Sequence, residues 1–272
     1  MKKIIWIVYL LTLLNAPASA ITWGSEDSSN DYPNVGAFIW RTTDTGDVFH
    51  ICSGTLVHPQ VFLTAGHCVV PTLFFQSLGL IDVFVSFDLD VSQAAIPTLY
   101  PVSTVHVHPL YTGKASQSAK NSNDIGLLIL EDPINTIVPA TLPVSGFLDA
   151  LGSQLKHGQD RAHYTVVGYG ANLAWPPPAF LDNSRRQIAV SEHLSLKSAW
   201  LLMSQNFAAT AAGGTCFGDS GGPAFYTKDD GTEVIVGVTS WGDQNCVATG
   251  IDARVDIDAT LEFISDIVGS LP

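Results

Sequence analysis

Gly218-Asp219-Ser220-Gly221-Gly222-Pro223 sets a serine in a glycine-rich turn. Two other stretches give it meaning. Leu63-Thr64-Ala65-Gly66-His67-Cys68 puts a histidine where an apolar strand should turn into a helix, and Asn123-Asp124-Ile125-Gly126-Leu127-Leu128-Ile129-Leu130 opens an apolar strand with an aspartate. Singly, each has an ordinary explanation: a packed or stray-ligand histidine, a capping aspartate, a plain turn. Together they supply one of each group that acyl transfer needs. Serine is a poor nucleophile near neutrality and needs a base within hydrogen-bond reach. Histidine, with an unperturbed pKa of about 6.5, can take and return a proton there. A buried aspartate fixes the imidazole tautomer and stabilises the imidazolium.

The surrounding composition fits a folded domain. Of 272 residues, 46% are hydrophobic and 14% charged, which allows a sizeable core and excludes a disordered tail. The net charge of −13 argues against phosphate-backbone binding, so no nucleic-acid partner is expected. The 23 Gly and 15 Pro indicate many turns between short strands. Residues 1–20 read as an export signal: Lys2 and Lys3, an apolar run from Ile4 to Leu14, then Ala18-Ser19-Ala20 at the cleavage point. The run is short for a membrane span, and no later segment is long enough, so no membrane association is expected after cleavage. The expected location is extracellular, or periplasmic in a Gram-negative bacterium. Export implies an oxidising compartment in which the four cysteines pair, with three connectivities open and Cys52/Cys68 plus Cys216/Cys246 the two local pairings. There is no Asn-x-Ser/Thr acceptor for glycosylation.

Strand-like runs recur at Val35–Trp40, Gly54–Val57, Val61–Thr64, Ile81–Phe87, Ile125–Leu130, Tyr164–Gly168, Gln187–Val190 and Val234–Ser240. The stretch from Glu131 to Gln159 reads as a linker between two halves. Helix is expected for one turn at Ala65–Val69 and for Ala259–Val268, with Asp258 as N-cap and Gly269 as stop. Trp175-Pro176-Pro177-Pro178 reads as a stiff surface loop. His106 and His108 are too few for a metal site, and Asp88 and Asp90 do not make a convincing calcium loop, so no cofactor or metal is expected.

In the order His67, Asp124, Ser220, the three segments resemble the trypsin/chymotrypsin-like serine proteases; subtilisin-like enzymes and α/β-hydrolases order these residues differently. The likeness extends over nearly all of residues 21–272. Ile21-Thr22-Trp23-Gly24 resembles the family's mature amino terminus, Val107–Tyr111 the segment before its aspartate, Val167-Gly168-Tyr169-Gly170 the opening strand of its second barrel, and Ser240-Trp241-Gly242 its substrate-binding edge strand.

The resemblance implies an all-β fold of two antiparallel barrels, about residues 21–140 and 141–272, six strands each, with a C-terminal helix. It implies a catalytic triad of His67, Asp124 and Ser220, with an oxyanion hole from the N–H groups of Gly218 and Ser220. Ser240 should hold Asp124, and Ser240–Gly242 should pair with an extended peptide. The amine of Ile21 should pair with Asp219. Cys52–Cys68 should brace the histidine turn, closing a loop of about 15 residues worth roughly 3 kcal/mol, and Cys216–Cys246 should join the walls of the specificity pocket. Partners implied are polypeptide substrates and protein protease inhibitors.

Three features depart from the family pattern: no pro-segment separates the export signal from Ile21, only two bridges are present, and Gly214, followed by Thr215, stands where trypsin has an acidic residue. With Gly242 and Gly250 as pocket walls, the expectation is an open, uncharged slot that favours Phe, Tyr, Leu or Met over Arg and Lys. Asp252 is the one residue that would overturn this, and it is expected to be paired or solvated elsewhere. An inactive binding protein and an esterase on the same fold are the competing classes. All three triad residues are present, against the first, and the edge strand argues for polypeptide, against the second.

Overall fold

The computed structural model describes residues 21–271 apart from 93–94, 96, 114–122, 158–159, 175–178 and 182–183. The export signal and the Trp175–Pro178 loop therefore lie outside the described residues.

In chain order, β1 (Ser25–Glu26) is followed by β2 (Val35–Thr42), β3 (Val48–His58), β4 (Val61–Thr64), helix α1 (Gly66–Ser77), β5 (Ile81–Ser86), β6 (Tyr100–Val107) and β7 (Gly126–Leu130). A connection then carries the short helix α2 (Phe147–Leu151), a 3₁₀ turn and a small hairpin of β8 (Lys156–His157) and β9 (Asp160–Arg161). After it come β10 (His163–Gly168), a hairpin of β11 (Asn172–Ala174) and β12 (Ala179–Leu181), β13 (Gln187–Leu196), β14 (Trp200–Ser204) and α3 (Phe207–Thr210). The chain finishes with β15 (Pro223–Thr227), β16 (Glu233–Gly242), β17 (Thr249–Arg254) and α4 (Asp258–Gly269).

Strands β2 to β7 close into one antiparallel barrel in the order β2-β3-β4-β7-β6-β5. The second six, β13-β10-β15-β16-β17-β14, close through the pairing of β14 with β13, and β1 adds to the outside of β13. Central strands such as β4 and β7 are buried throughout, which is why they read as unbroken apolar runs. In β13, burial alternates with period two, and the inward positions include Gln187, Ser191 and His193 as well as Ala189.

Several expectations are adjusted. Helix α1 runs twelve residues rather than one turn and continues past Pro71. Proline forgoes one helical hydrogen bond. Docking on the barrel compensates: Trp40 Nε1 donates to Thr72 Oγ1 at 3.0 Å, and Phe75 packs edge-on against Trp40. In α4, Asp258 is the first helical residue, with Ile257 as the cap, and Gly269 is the last. The Glu131–Gln159 stretch is not a bare linker, since it holds α2 and the 3₁₀ turn. The chain ends also cross over. β1 adds to the second barrel, and α4 reaches the first through His108, whose Nε2 lies 3.1 Å from the Ala259 carbonyl and whose ring meets Phe263.

Arg186 fastens the junction. Its side chain is fully buried, with Nε 2.8 Å from Asp27 Oδ2 and Nη1 donating to the carbonyls of Val35 and Phe87 and to Tyr169 Oη; Nη2 donates to Asn30 Oδ1. One guanidinium thus ties the amino-terminal segment, both sides of the first barrel's seam and the start of the second barrel. Arg186→Ala leaves the Asp27 carboxylate buried without its cation, so a loss of about 3–5 kcal/mol is expected in urea unfolding. An unchanged unfolding midpoint would count against a structural role for the pair.

Candidate active site

The ladder between β4 and β7 brings the first two groups together. Thr64 pairs with Gly126, so the residues just after β4 meet those just before β7. His67 therefore lies beside Asp124. Asp124 is fully buried, and its Oδ1 accepts the His67 backbone N–H at 2.8 Å while its Oδ2 lies 2.8 Å from His67 Nδ1. Ser240 Oγ, from β16 of the other barrel, also donates to Oδ2. The carboxylate is held by three groups, and the imidazole is the one member left partly exposed, at 29% of its side chain.

Ser220 sits in a turn built on two left-handed glycines, Gly218 at φ +96° and Gly221 at φ +83°. A side chain on Gly221 would collide with Thr64 Oγ1, so glycine is required there both for conformation and for space. Asp219 is fully buried beneath the turn. Its Oδ1 accepts the Gly170 N–H and its Oδ2 the Cys216 N–H, each at 2.8 Å. Burial pushes its pKa up to about 7, outweighing those two hydrogen bonds, which lower it. Among the described residues, no acceptor takes the N–H of Gly218 or of Ser220.

Sequence reading missed Ser53, which braces the same turn. Its N–H donates to the Ser220 carbonyl at 2.8 Å, its Oγ donates to the Gly218 carbonyl at 3.0 Å, and the same Oγ accepts the Tyr169 N–H. A serine inside a strand carries no sequence signal of such a role.

His67 and Ser220 line one cavity of about 290 Å³, together with Thr215, Ser240, Trp241, Gly242 and the Cys216–Cys246 bridge. The Cys52–Cys68 bridge joins β3 to α1 one residue after His67. The β15–β16 ladder ends at Val238, so no described strand pairs with Ser240–Gly242 on that side. Ile21 is fully buried among Leu148, Tyr164, Val166 and Ala189, and Thr22 exchanges both backbone hydrogen bonds with Gly214.

The pocket differs from the sequence expectation. Gly214 and Gly250 do not reach the cavity, because the side chain of Gln205 stands against both. Asp252 does not reach bulk solvent. It is fully buried opposite Thr239, its carboxylate has no hydrogen-bond partner among the described residues, and burial raises its pKa well above the ordinary carboxylate range.

The one described cluster of metal-ligating atoms is Cys52, His67 and Cys68, and its two sulfurs are consumed by the disulfide. His108 is held by Ala259 and Leu110, and Asp90 by Arg185.

This chain matches the Trypsin family over residues 21–263. A relative, Lectizyme of Glossina austeni, is 30% identical over 208 residues, covering 74% of this chain and 70% of that protein. Extent of match and fold agree, and the chain belongs to the trypsin family of serine proteases.

Proposed function

We propose that the chain is an exported serine endopeptidase, in which Ser220 is the nucleophile, His67 the general base and acid, and Asp124 the group that orients it. The observation that carries this reading is the grip on Asp124. One carboxylate bonds both the backbone N–H and Nδ1 of His67, so the ring's Nδ1 keeps its proton and Nε2 stays free to accept one. As Ser220 Oγ attacks a substrate carbonyl, its proton passes to Nε2. The leaving amine takes that proton back, and water repeats the sequence on the acyl-enzyme. Charge on the carbonyl oxygen is met by the N–H groups of Gly218 and Ser220, whose removal one at a time typically costs about 2.7–4 kcal/mol of transition-state stabilisation. The unpaired side of Ser240–Gly242 supports binding of an extended peptide as an added strand.

Labelling with a fluorophosphonate tests the reading. Stoichiometric modification that maps to Ser220, with parallel loss of peptide hydrolysis, is the expected result. A folded protein whose Ser220 stays unlabelled while His67 is intact would point to an inactive binding protein instead.

A further inference from the structure

We propose that Gln205 sets the depth of the specificity pocket, and that the enzyme accordingly takes short side chains (Ala, Ser, Thr, Val) at the residue before the scissile bond. The inference deepens the endopeptidase reading above and rests on it.

Gln205 follows β14 directly. Its backbone is fixed by hydrogen bonds from its N–H to the Ala248 carbonyl at 3.0 Å and from the Phe207 N–H to its own carbonyl at 3.1 Å. Its side chain turns inward and is 1% exposed, with Oε1 accepting from Thr215 Oγ1 at 3.4 Å. A Cβ placed on Gly214 would overlap the Gln205 amide, and one placed on Gly250 would stand 3.0 Å from Oε1 and 3.2 Å from Cδ. The space that two glycines leave free is therefore filled by a side chain arriving from a third strand end. The cavity reaches Thr215, Gly242 and Cys246 but not Gly214, Gly250 or Gln205 itself, so Gln205 acts from behind Thr215, from whose Oγ1 it accepts.

A floor of this kind disfavours both alternatives. An aromatic side chain buries about 150–250 Å² when enclosed, and here it would meet the amide before it could be covered. A cation would find no available carboxylate on the cavity wall: Asp252, buried without a hydrogen-bond partner among the described residues, lies against Gly237 and does not line the cavity. Asp243 lines the rim, but its oxygens accept the N–H groups of Asn245, Val247, Ala248 and Thr249. Short side chains should fit above Thr215 without displacing it or the Gln205 behind it.

The test is kcat/KM on matched peptide amides that differ only at the residue before the scissile bond. For the wild type, Ala, Thr and Val substrates should exceed Phe, Leu and Arg by tenfold or more. Gln205→Ala should raise Phe and Leu at least tenfold while changing Ala less than threefold, with fluorophosphonate titration counting the active sites in each preparation. Gln205→Met keeps the length of the side chain and should keep the wild-type ranking, which guards against a variant that merely folds poorly. A wild-type preference for Phe, Leu or Arg, or an unchanged ranking in a titratable Gln205→Ala enzyme, overturns the inference and leaves the endopeptidase reading standing. Failure to label Ser220 together with no turnover of any substrate overturns the endopeptidase reading and this inference with it.

Discussion

Ser220→Ala is expected to lower kcat by about 10⁶-fold, the scale seen when a serine triad loses its nucleophile, while leaving the fold in place. The fold should survive because the turn is held by its backbone and not by the hydroxyl. The Ser220 carbonyl accepts from Ser53, the Gly221 N–H donates to Thr239, and Asp219 anchors the residues on either side. Asp124 would still grip His67. What should remain is binding and the two proposed oxyanion donors, the N–H groups of Gly218 and residue 220, which would account for a residual rate above that in water. His67→Ala should cost a similar amount, and the double variant little more than either, since nucleophile and base act as one unit. Residual peptide hydrolysis above about one part in a hundred by Ser220→Ala, in a preparation free of contaminating protease, would remove Ser220 from the nucleophile's role.

The site was largely legible because its parts are short, contiguous and placed by simple strand pairing. The apolar runs Val61–Thr64 and Ile125–Leu130 announce two strands, and their ladder is what brings His67 to Asp124. What sequence could not show depends on side chains that meet across long separations. Gln205 carries no sequence signal of burial or of a pocket role. Its direction is decided by the β14–β17 register and by the absence of side chains at Gly214 and Gly250. The glycines were read as leaving a slot open, when they leave room for another residue of the same chain. Pro71 is a rational place to end a helix, and docking on the barrel, including the contact of Trp40 with Thr72 and Phe75, carries α1 past it. The sequence leads one to expect a partner or solvent at Asp252, yet the pleat of β17 buries it with no hydrogen-bond partner among the described residues. Likewise, nothing in Ser25-Glu26 indicates that the first strand belongs to the second barrel, because two residues carry too little pattern to specify a partner.

A chain that begins at Ile21 should differ from one extended by a single residue in a way that depends on pH. Asp219 receives two backbone N–H groups, and burial raises its pKa to about 7, against about 3.9 for an unfolded aspartate. A carboxyl group whose pKa is raised in the folded state favours folding while it is protonated in both states, below about pH 4. That advantage fades as pH rises and is gone once the folded group ionises, near pH 7. Three pK units correspond to at most about 4 kcal/mol. A free α-ammonium at Ile21, with an unperturbed pKa of about 7.7–8.0, supplies the cation that reverses this penalty if it reaches the carboxylate. In an extended chain the nitrogen of Ile21 is an uncharged amide. Ile21 is already buried, and Thr22 is locked to Gly214, two residues before the Cys216 that donates to Asp219, so the chain start and the turn belong to one small assembly. The comparison is best made in the Ser220→Ala background, where self-cleavage cannot intervene. Melting temperatures of the two forms should nearly coincide at pH 4.5 and separate at pH 7, with the extended form lower by about 2–4 °C for each kcal/mol. In the active enzyme, the ratio of extended to mature turnover should fall over the same interval. A gap in melting temperature that is the same at both pH values, or an extended enzyme as active as the mature one at pH 7, would show that the amine of Ile21 does not pair with Asp219.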